Sequence, residues 1–259
     1  MKLSPLKIAL TIAGSDPTGG AGFQADLKTF AAMGVYGLSI PAALTAQNTR
    51  GVGGIHEVSP EFFSEELDML LKDIRPDAVK IGMLYAPEIV ERLGRGLMER
   101  SLKNIVVDPV TVSSTGVSLA KAGTLTALKL RLFPLARVIT PNIHEAYLLS
   151  GMEVNNEGDM KDAALKIRAL GPEEVIITGG HLKDKAVDLL FDGKEFLFLN
   201  NERLEGEFHG TGCAFSSALA AGLALGYDVK ESAARAKEFV YNAMKNAIPL
   251  GKGMKILNI

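Results

Sequence analysis

The chain has 259 residues, 47% of them hydrophobic and 22% charged, with a net charge of −2 and a single cysteine. That size and apolar content suit one domain with a large core, the charge gives no electrostatic case for nucleic acid or an acidic membrane surface, and one cysteine excludes an internal disulfide. No apolar run approaches the roughly 18 residues of a membrane span, no leader pattern opens the chain, and no linker or repeat divides it; a single domain over 1–259, cytoplasmic and acting on small molecules, is expected.

Leu6 to Ala13 is a short apolar run that reads as a strand. It ends in the glycine-rich stretch Gly14-Ser15-Asp16-Pro17-Thr18-Gly19-Gly20-Ala21-Gly22, and a helical pattern follows from Phe23 to Met33. The loop matches neither the P-loop nor the Gly-x-Gly-x-x-Gly pattern, but its freedom suits close backbone approach to a flat ligand. Asp26, in the first turns of that helix, is placed to reach back over the loop or, equally, to offset the helix dipole. Leu38 to Thr45 reads as a second strand ending at Ala46-Gln47-Asn48-Thr49. Gln47 carries the donor and acceptor needed to read an aminopyrimidine edge, although an isolated Gln is more often a polar turn residue. Gly54 to Val58 suggests an extra strand and Pro60 to Asp73 an amphipathic helix.

Ala78 to Ile81 is the next strand, closing with Gly82-Met83-Leu84, and a helix runs from Pro87 to Arg100. Ile105 to Val107 leads into Asp108-Pro109-Val110. A carboxylate at the tip of a buried strand suits a Mg²⁺ ligand, or a turn initiator before proline. Leu119 to Leu132 is expected to be helical and Arg137 to Ile139 a strand. Thr140-Pro141-Asn142-Ile143-His144-Glu145 then opens a helix in which Asn142 and Glu145 share one face or form a capping pair. A helix over Met160 to Leu170, a strand over Val175 to Ile177 running into Thr178-Gly179-Gly180-His181, and a hairpin over Leu189 to Phe198 turning at Asp192-Gly193 follow.

His209-Gly210-Thr211-Gly212-Cys213 enters a helix of small residues, and Asp228 to Asn246 closes the chain as a helix. Two glycines at a helix start bring N–H groups and the positive dipole end together as an anion hole, where Cys213 is expected to be favoured as thiolate. The plainer account is a glycine-bounded helix start with a small buried cysteine. Lys237, on the closing helix, either reaches an anion or lies on a solvated face. Each polar cluster falls at the C-terminal end of an apolar strand or at the helix start after it. In an open α/β sheet those ends share the edge where ligands bind, which points to a phosphoryl-transfer site.

The motifs Ala13 to Gly22, Gln24 to Lys28, Ala46 to Thr49, Lys80 to Met83, Asp108 to Val110, Thr140 to Asn142, Glu145-Ala146, Gly179 to His181 and His209 to Cys213 resemble, nearly end to end, the ribokinase-like superfamily. Within it the chain resembles the hydroxymethylpyrimidine/phosphomethylpyrimidine kinases of thiamin biosynthesis. The resemblance implies a three-layer α/β/α sandwich with a mostly parallel central sheet. It implies phosphorylation of 4-amino-5-hydroxymethyl-2-methylpyrimidine and then of its monophosphate, using ATP and Mg²⁺, and a homodimer is expected. Carried over by position, Cys213 is the catalytic base within the anion hole of Gly210, Thr211 and Gly212. Gln47, Asp26, Ala21, Met83 and Val110 line the pyrimidine pocket, Asp108 and Glu145 serve the metal, and Asn142, Lys237 and Thr178 lie near the nucleotide. Two positions depart from the pattern: many relatives carry lysine where Thr178 stands and methionine where Thr111 stands. A pyridoxal kinase on the same scaffold and a non-catalytic pyrimidine sensor are the alternatives.

Overall fold

The computed structural model describes residues 6–113, 115–180 and 186–259; His181, the last residue of the Gly179-Gly180-His181 motif, lies outside them. The sheet runs β3 (Gly51–Glu57), β2 (Tyr36–Asn48), β1 (Ile8–Gly14), β4 (Ala78–Ile81), β5 (Ile105–Val107), β6 (Val138–Ile139), β7 (Glu174–Ile177), β8 (Ala186–Phe191), β9 (Phe196–Asn201). The six strands from β2 to β7 are parallel, and β3, β8 and β9 pair antiparallel at the two ends. Helices cover both faces, giving the expected three-layer sandwich.

Alternation along the strands divides the core. Leu10, Ile12, Ile105 and Val107 face the layer of α2 (Pro60–Asp73), α3 (Pro87–Glu99), α5 (Ile143–Ser150) and α6 (Glu157–Arg168). Ala9, Ala78, Val106 and Val138 face the layer of α1 (Gly22–Ala32), α7 (Thr211–Leu225) and α8 (Val229–Lys245). From β1 the chain steps to β2 on one side and later returns to β4 on the other, so the direction of winding changes between β1 and β4. A crevice at the carboxyl ends of these two strands is the expected ligand position for such a sheet.

Local signals account for most element starts. Pro60 opens α2 after Ser59, whose hydroxyl accepts from the Phe62 N–H, and Asp228 accepts from the Glu231 N–H ahead of α8. α6 begins three residues earlier than its apolar periodicity suggested because Asn156 accepts from the N–H groups of Gly158 and Asp159. The hairpin at Asp192-Gly193 forms as expected, with Gly193 at φ 92° and Asp192 Oδ1 accepting from Lys194 and Glu195. α7 is buried all round from Ala214 to Ala224. Its small residues let α8 close on it: a Cβ on Gly222 would lie 2.7 Å from Ser232 Oγ.

The continuous helix expected over Leu119 to Leu132 is corrected. Val112 bridges Ser118 and the Leu119 N–H donates to Thr111 O, so this part is extended. Gly123, left-handed at φ 89°, then turns the chain into α4 (Thr124–Ala127), which continues as a wider turn over Leu128–Leu132 and a 3-10 turn over Phe133–Leu135. The apolar spacing was real, since Leu119, Leu128 and Leu132 are all buried, but it spans a loop and a short helix.

Candidate active site

The glycine-rich loop after β1 and the start of α7 are packed backbone to backbone. Gly210 is left-handed at φ 84°, and a Cβ there would fall 1.7 Å from Gly20 O. No other residue fits that contact. No side chain caps α7 and its first turn holds no acidic residue. The amides of Thr211, Gly212 and Cys213 precede the first intrahelical bond, Ala214 N–H to Gly210 O, and so remain free to meet an anion. Gly212 is exposed with open space around it, as phosphate approach requires.

Cys213 sits at the end of this cradle and accepts a hydrogen bond from the Gly22 N–H. Its side chain keeps some surface exposure, but burial pushes the thiol up to about 12, with Asp26 and Asp108 adding to the rise and Lys80 opposing it. The expectation of a thiolate-favouring helix start is thereby corrected. Loss of hydration and two neighbouring carboxylates outweigh the dipole, and the group is a thiol at neutral pH.

Asp26 is also corrected. It lies beneath the loop at 0% exposure and accepts from Thr11 Oγ1, Ser217 Oγ at 2.7 Å and Lys80 Nζ, which is 2.9 Å from both carboxylate oxygens. Protein donors already occupy it, so it supports the crevice floor and does not line the ring pocket. Lys80 is likewise at 0% exposure; burial favours its neutral form, but Asp26 and, beyond it, Cys213 and Asp108 outweigh this and raise its pKa. A lysine inside the four-residue apolar strand β4 is the one signal in the sequence that points to such a pair.

Asp108, after β5, accepts from Ser216 Oγ at 2.9 Å, one helical turn beyond Gly212. Glu145 and Asn142 form the capping box at the start of α5, each side chain holding the other's backbone N–H at 2.9 Å. Glu145 is nevertheless nearly buried, and burial followed by the charge of Asp108 holds its pKa well above the usual carboxylate range. Burial likewise raises Asp108 against the pull of Lys80. Two neighbouring buried carboxylates, Glu145 raised further by the charge of Asp108 and Asp108 by that of Asp26, fit a divalent cation that takes one or two carboxylates and leaves its other positions to phosphate and water.

Thr178 follows β7, bridges Asn142 and donates its N–H to Pro141 O, which brings it beside the α5 start. Lys237 is corrected from a free cation to half of a buried pair. It lies 2.7 Å from Asp188 Oδ2 and 3.1 Å from Ala186 O, while Asp188 Oδ1 accepts from the Gly179 N–H. Met83 is buried with Ala43 and Leu119, and Val110, Tyr85 and Ile55 pack against them. A Cβ on Gly14 would lie 2.8 Å from Met83 Sδ, so the loop backbone and this apolar wall adjoin. Ala21, at the loop end, donates its N–H to Asp16 Oδ2. Gln47 lines a cavity of about 610 Å³ with Pro17, Ala46 and Arg50, and its amide lies 3.1 Å from His209 Nε2.

The profile of the family described as phosphomethylpyrimidine kinase matches residues 16–258. The chain is 47% identical over 251 residues to the thiamine biosynthesis bifunctional protein ThiED of Geobacter sulfurreducens, a match that covers 96% of the chain and 51% of that protein. It is 41% identical to the hydroxymethylpyrimidine/phosphomethylpyrimidine kinase of Bacillus subtilis, covering 95% of the chain and 92% of the relative. This chain thus spans about half of the first relative and nearly all of the second. A solved ADP complex of Bacillus subtilis pyridoxal kinase superposes with a TM-score of 0.90 at 41% identity, covering 98% of this chain and 97% of that one.

Proposed function

Because the chain belongs to the phosphomethylpyrimidine kinase family, we propose that it transfers the γ-phosphoryl group of ATP to 4-amino-5-hydroxymethyl-2-methylpyrimidine and then to the resulting monophosphate. The observation that supports this reading is a free-amide cradle at Thr211, Gly212 and Cys213, packed through the contact between Gly20 and Gly210 against a loop whose first glycine, Gly14, adjoins the apolar wall of Met83 and Val110, with Gln47 held beside His209.

The ring lies against Met83 and Val110 with Gln47 at its edge, and its hydroxymethyl oxygen faces the start of α7. The oxygen attacks the γ-phosphorus, the bond to the β–γ bridging oxygen breaks, ADP leaves, and the hydroxyl proton passes to Cys213 in its thiolate form, the minority species at neutral pH. The free amides stabilise charge on the transferring group, where preorganised donors act most strongly. Asp108 and Glu145 would hold Mg²⁺, which supplies neutralisation of phosphate charge. Asn142 and Thr178 flank the nucleotide phosphates, and Lys237 acts through Asp188 and the Gly179 amide. The protein works as a homodimer in the cytoplasm.

ATP consumption with the pyrimidine alcohol and with pyridoxal, side by side, tests the substrate. Faster turnover of pyridoxal would favour the rival kinase activity, and no turnover of either would favour a sensor. Cys213→Ala should lose about 10²–10⁴ in rate while retaining ATP binding. Since the resting group is a thiol pushed to about 12, the rate at saturating substrate should climb from pH 7 to pH 9 as the thiolate fraction grows. Cys213→Asp, whose carboxyl ionises several units below a thiol in the same surroundings, should flatten the climb; equal slopes would remove Cys213 from proton transfer.

A further inference from the structure

His209 is buried between the two stretches that build the site. Its Nε2 lies 2.7 Å from Asp16 Oδ2 and 3.1 Å from the Gln47 side-chain nitrogen. Asp16 also accepts from the Thr18 N–H and hydroxyl at 2.9 Å and from the Ala21 N–H at 2.8 Å. Burial works against its charge, but the bonds from His209 and Thr18 outweigh it and hold its pKa low. A carboxylate is an acceptor only, so a 2.7 Å contact requires the proton on His209 Nε2.

A ring nitrogen that already donates cannot accept from the Gln47 amide N–H. The two ends of an amide are distinguished by their partners and not by shape. Half a turn of the Gln47 amide places its oxygen against the His209 N–H and its nitrogen against Thr45 Oγ1, 3.3 Å away. Thr45 Oγ1 donates to Ser15 O at 2.8 Å and keeps lone pairs to accept from Gln47. In that arrangement the His209 N–H given to Asp16 is shared with the Gln47 oxygen, and the Gln47 nitrogen donates to Thr45. One amide N–H and one oxygen lone pair remain for a ligand in the cavity that Gln47 lines.

The imidazole is held in place sterically as well. A Cβ on Gly20 would lie 2.8 Å from His209 Cδ2, and Ile256 of the short strand β11 (Lys255–Ile256), which pairs with β10 (Phe208–His209), packs over the same point.

We infer that His209 is a positioning residue which, anchored by Asp16, locks the Gln47 amide with its oxygen toward the imidazole and so fixes the order of donor and acceptor shown to the substrate ring. An amide free to turn would suit an aminopyrimidine and a hydroxypyridine alike; a locked one favours the ring whose order matches. This selectivity rests on the pyrimidine kinase reading, whereas the lock itself does not.

Two measurements test it. The ¹⁵N and ¹H shifts of His209, one of four histidines in the chain, should show the proton on Nε2; a neutral ring protonated on Nδ1 alone would overturn the lock whatever the enzyme's substrate. In steady-state kinetics His209→Phe should raise KM for the pyrimidine alcohol about tenfold and narrow its preference over pyridoxal by a similar factor, as expected for one lost buried hydrogen bond. KM for ATP and kcat should stay within about twofold. His209→Gln, whose amide nitrogen reaches the position of Nε2, should rescue most of the loss, and His209→Asn, which is shorter, should not; this pair carries the test if the phenylalanine variant fails to fold. Unchanged preference in His209→Phe or His209→Asn, or a loss falling equally on ATP and the pyrimidine, would overturn the inference. A wild type that ignores the pyrimidine alcohol would instead refute the kinase reading, with the NMR result still deciding the lock.

Discussion

Replacing Lys80 by methionine keeps much of the side-chain length and removes the charge from the floor of the crevice. The ammonium lies 2.9 Å from both oxygens of Asp26, neither residue has any solvent exposure, and the charge of Asp108 and, once it ionises, that of Cys213 act on it as well. In Lys80→Met, Asp26 keeps its bonds from Thr11 and Ser217 but loses its counter-ion in a place water does not reach. Breaking one side of a buried pair typically costs about 3–5 kcal/mol. At roughly 2 °C per kcal/mol for a chain of this size, the melting temperature should fall by about 6–10 °C. Lys80→Met with Asp26→Leu removes both charges and should recover more than half of that loss, because two apolar residues of similar size replace an ion pair that cost much to desolvate. Thermal melting and urea titration of wild type, both single variants and the double variant give the coupling. Alkylation of Cys213 supplies a second readout: without the ammonium its thiol should ionise less readily and react more slowly in Lys80→Met than in wild type. A single variant that loses under about 1 kcal/mol, or a double variant no more stable than Lys80→Met, would refute the view that this pair, and not the loop alone, holds the crevice floor.

Glu145→Gln should shift the Mg²⁺ dependence of the rate to higher concentration while leaving the α5 cap largely intact, since glutamine still accepts from the Asn142 N–H; an unchanged magnesium titration would leave Glu145 with the cap alone. Glu174, at the opposite end of the sheet from the crevice, is lifted from 4.5 to about 7 by burial, with Arg137 opposing and Asp192, Glu173 and Asp228 adding to the rise. The folded state therefore keeps a proton that the unfolded chain has lost, so this contribution to stability is full below pH 4.5 and disappears as pH rises through about 7. Glu174→Gln should gain on the order of 1–2 kcal/mol at pH 8, discounted for solvent screening of a half-exposed group, and almost nothing at pH 4; equal gains at both values would refute the assignment.

What the sequence made legible and what it hid divide along a physical line. The strand tips were legible because a buried strand must be apolar while the edge where it ends is free to carry Gln47, Asp108 or Asn142, and a change of composition at that boundary is local. Caps were legible for the same reason: Ser59, Asn142 with Glu145, and Asp228 act within three residues of themselves. The Asp26–Lys80 pair was not, because its members lie 54 positions apart and nothing near Asp26 distinguishes a carboxylate that meets a ligand from one that meets an ammonium under the sheet edge. The helix expected at Leu119 failed differently, since its apolar spacing is satisfied by an extended segment and a short helix that bury the same leucines, with Gly123 setting the break.

Cys213 joins these two classes. Its location followed from local rules, because glycines before a run of small residues announce a helix start. Its protonation did not, because Asp26, Asp108 and the protein mass that strips its water come from β5, α1 and the loop after β1. The position of a reactive group at a helix start is thus local information, and its charge state belongs to the tertiary structure. In this site the buried Lys80 connects the two: it holds Asp26 beneath the loop and is the cation that opposes the rise of the Cys213 thiol. The residue that the local patterns least suggested is therefore the one through which crevice geometry and proton affinity are coupled, and a change at Lys80 should alter both together while a change at Gln47 or Asn142 alters only one.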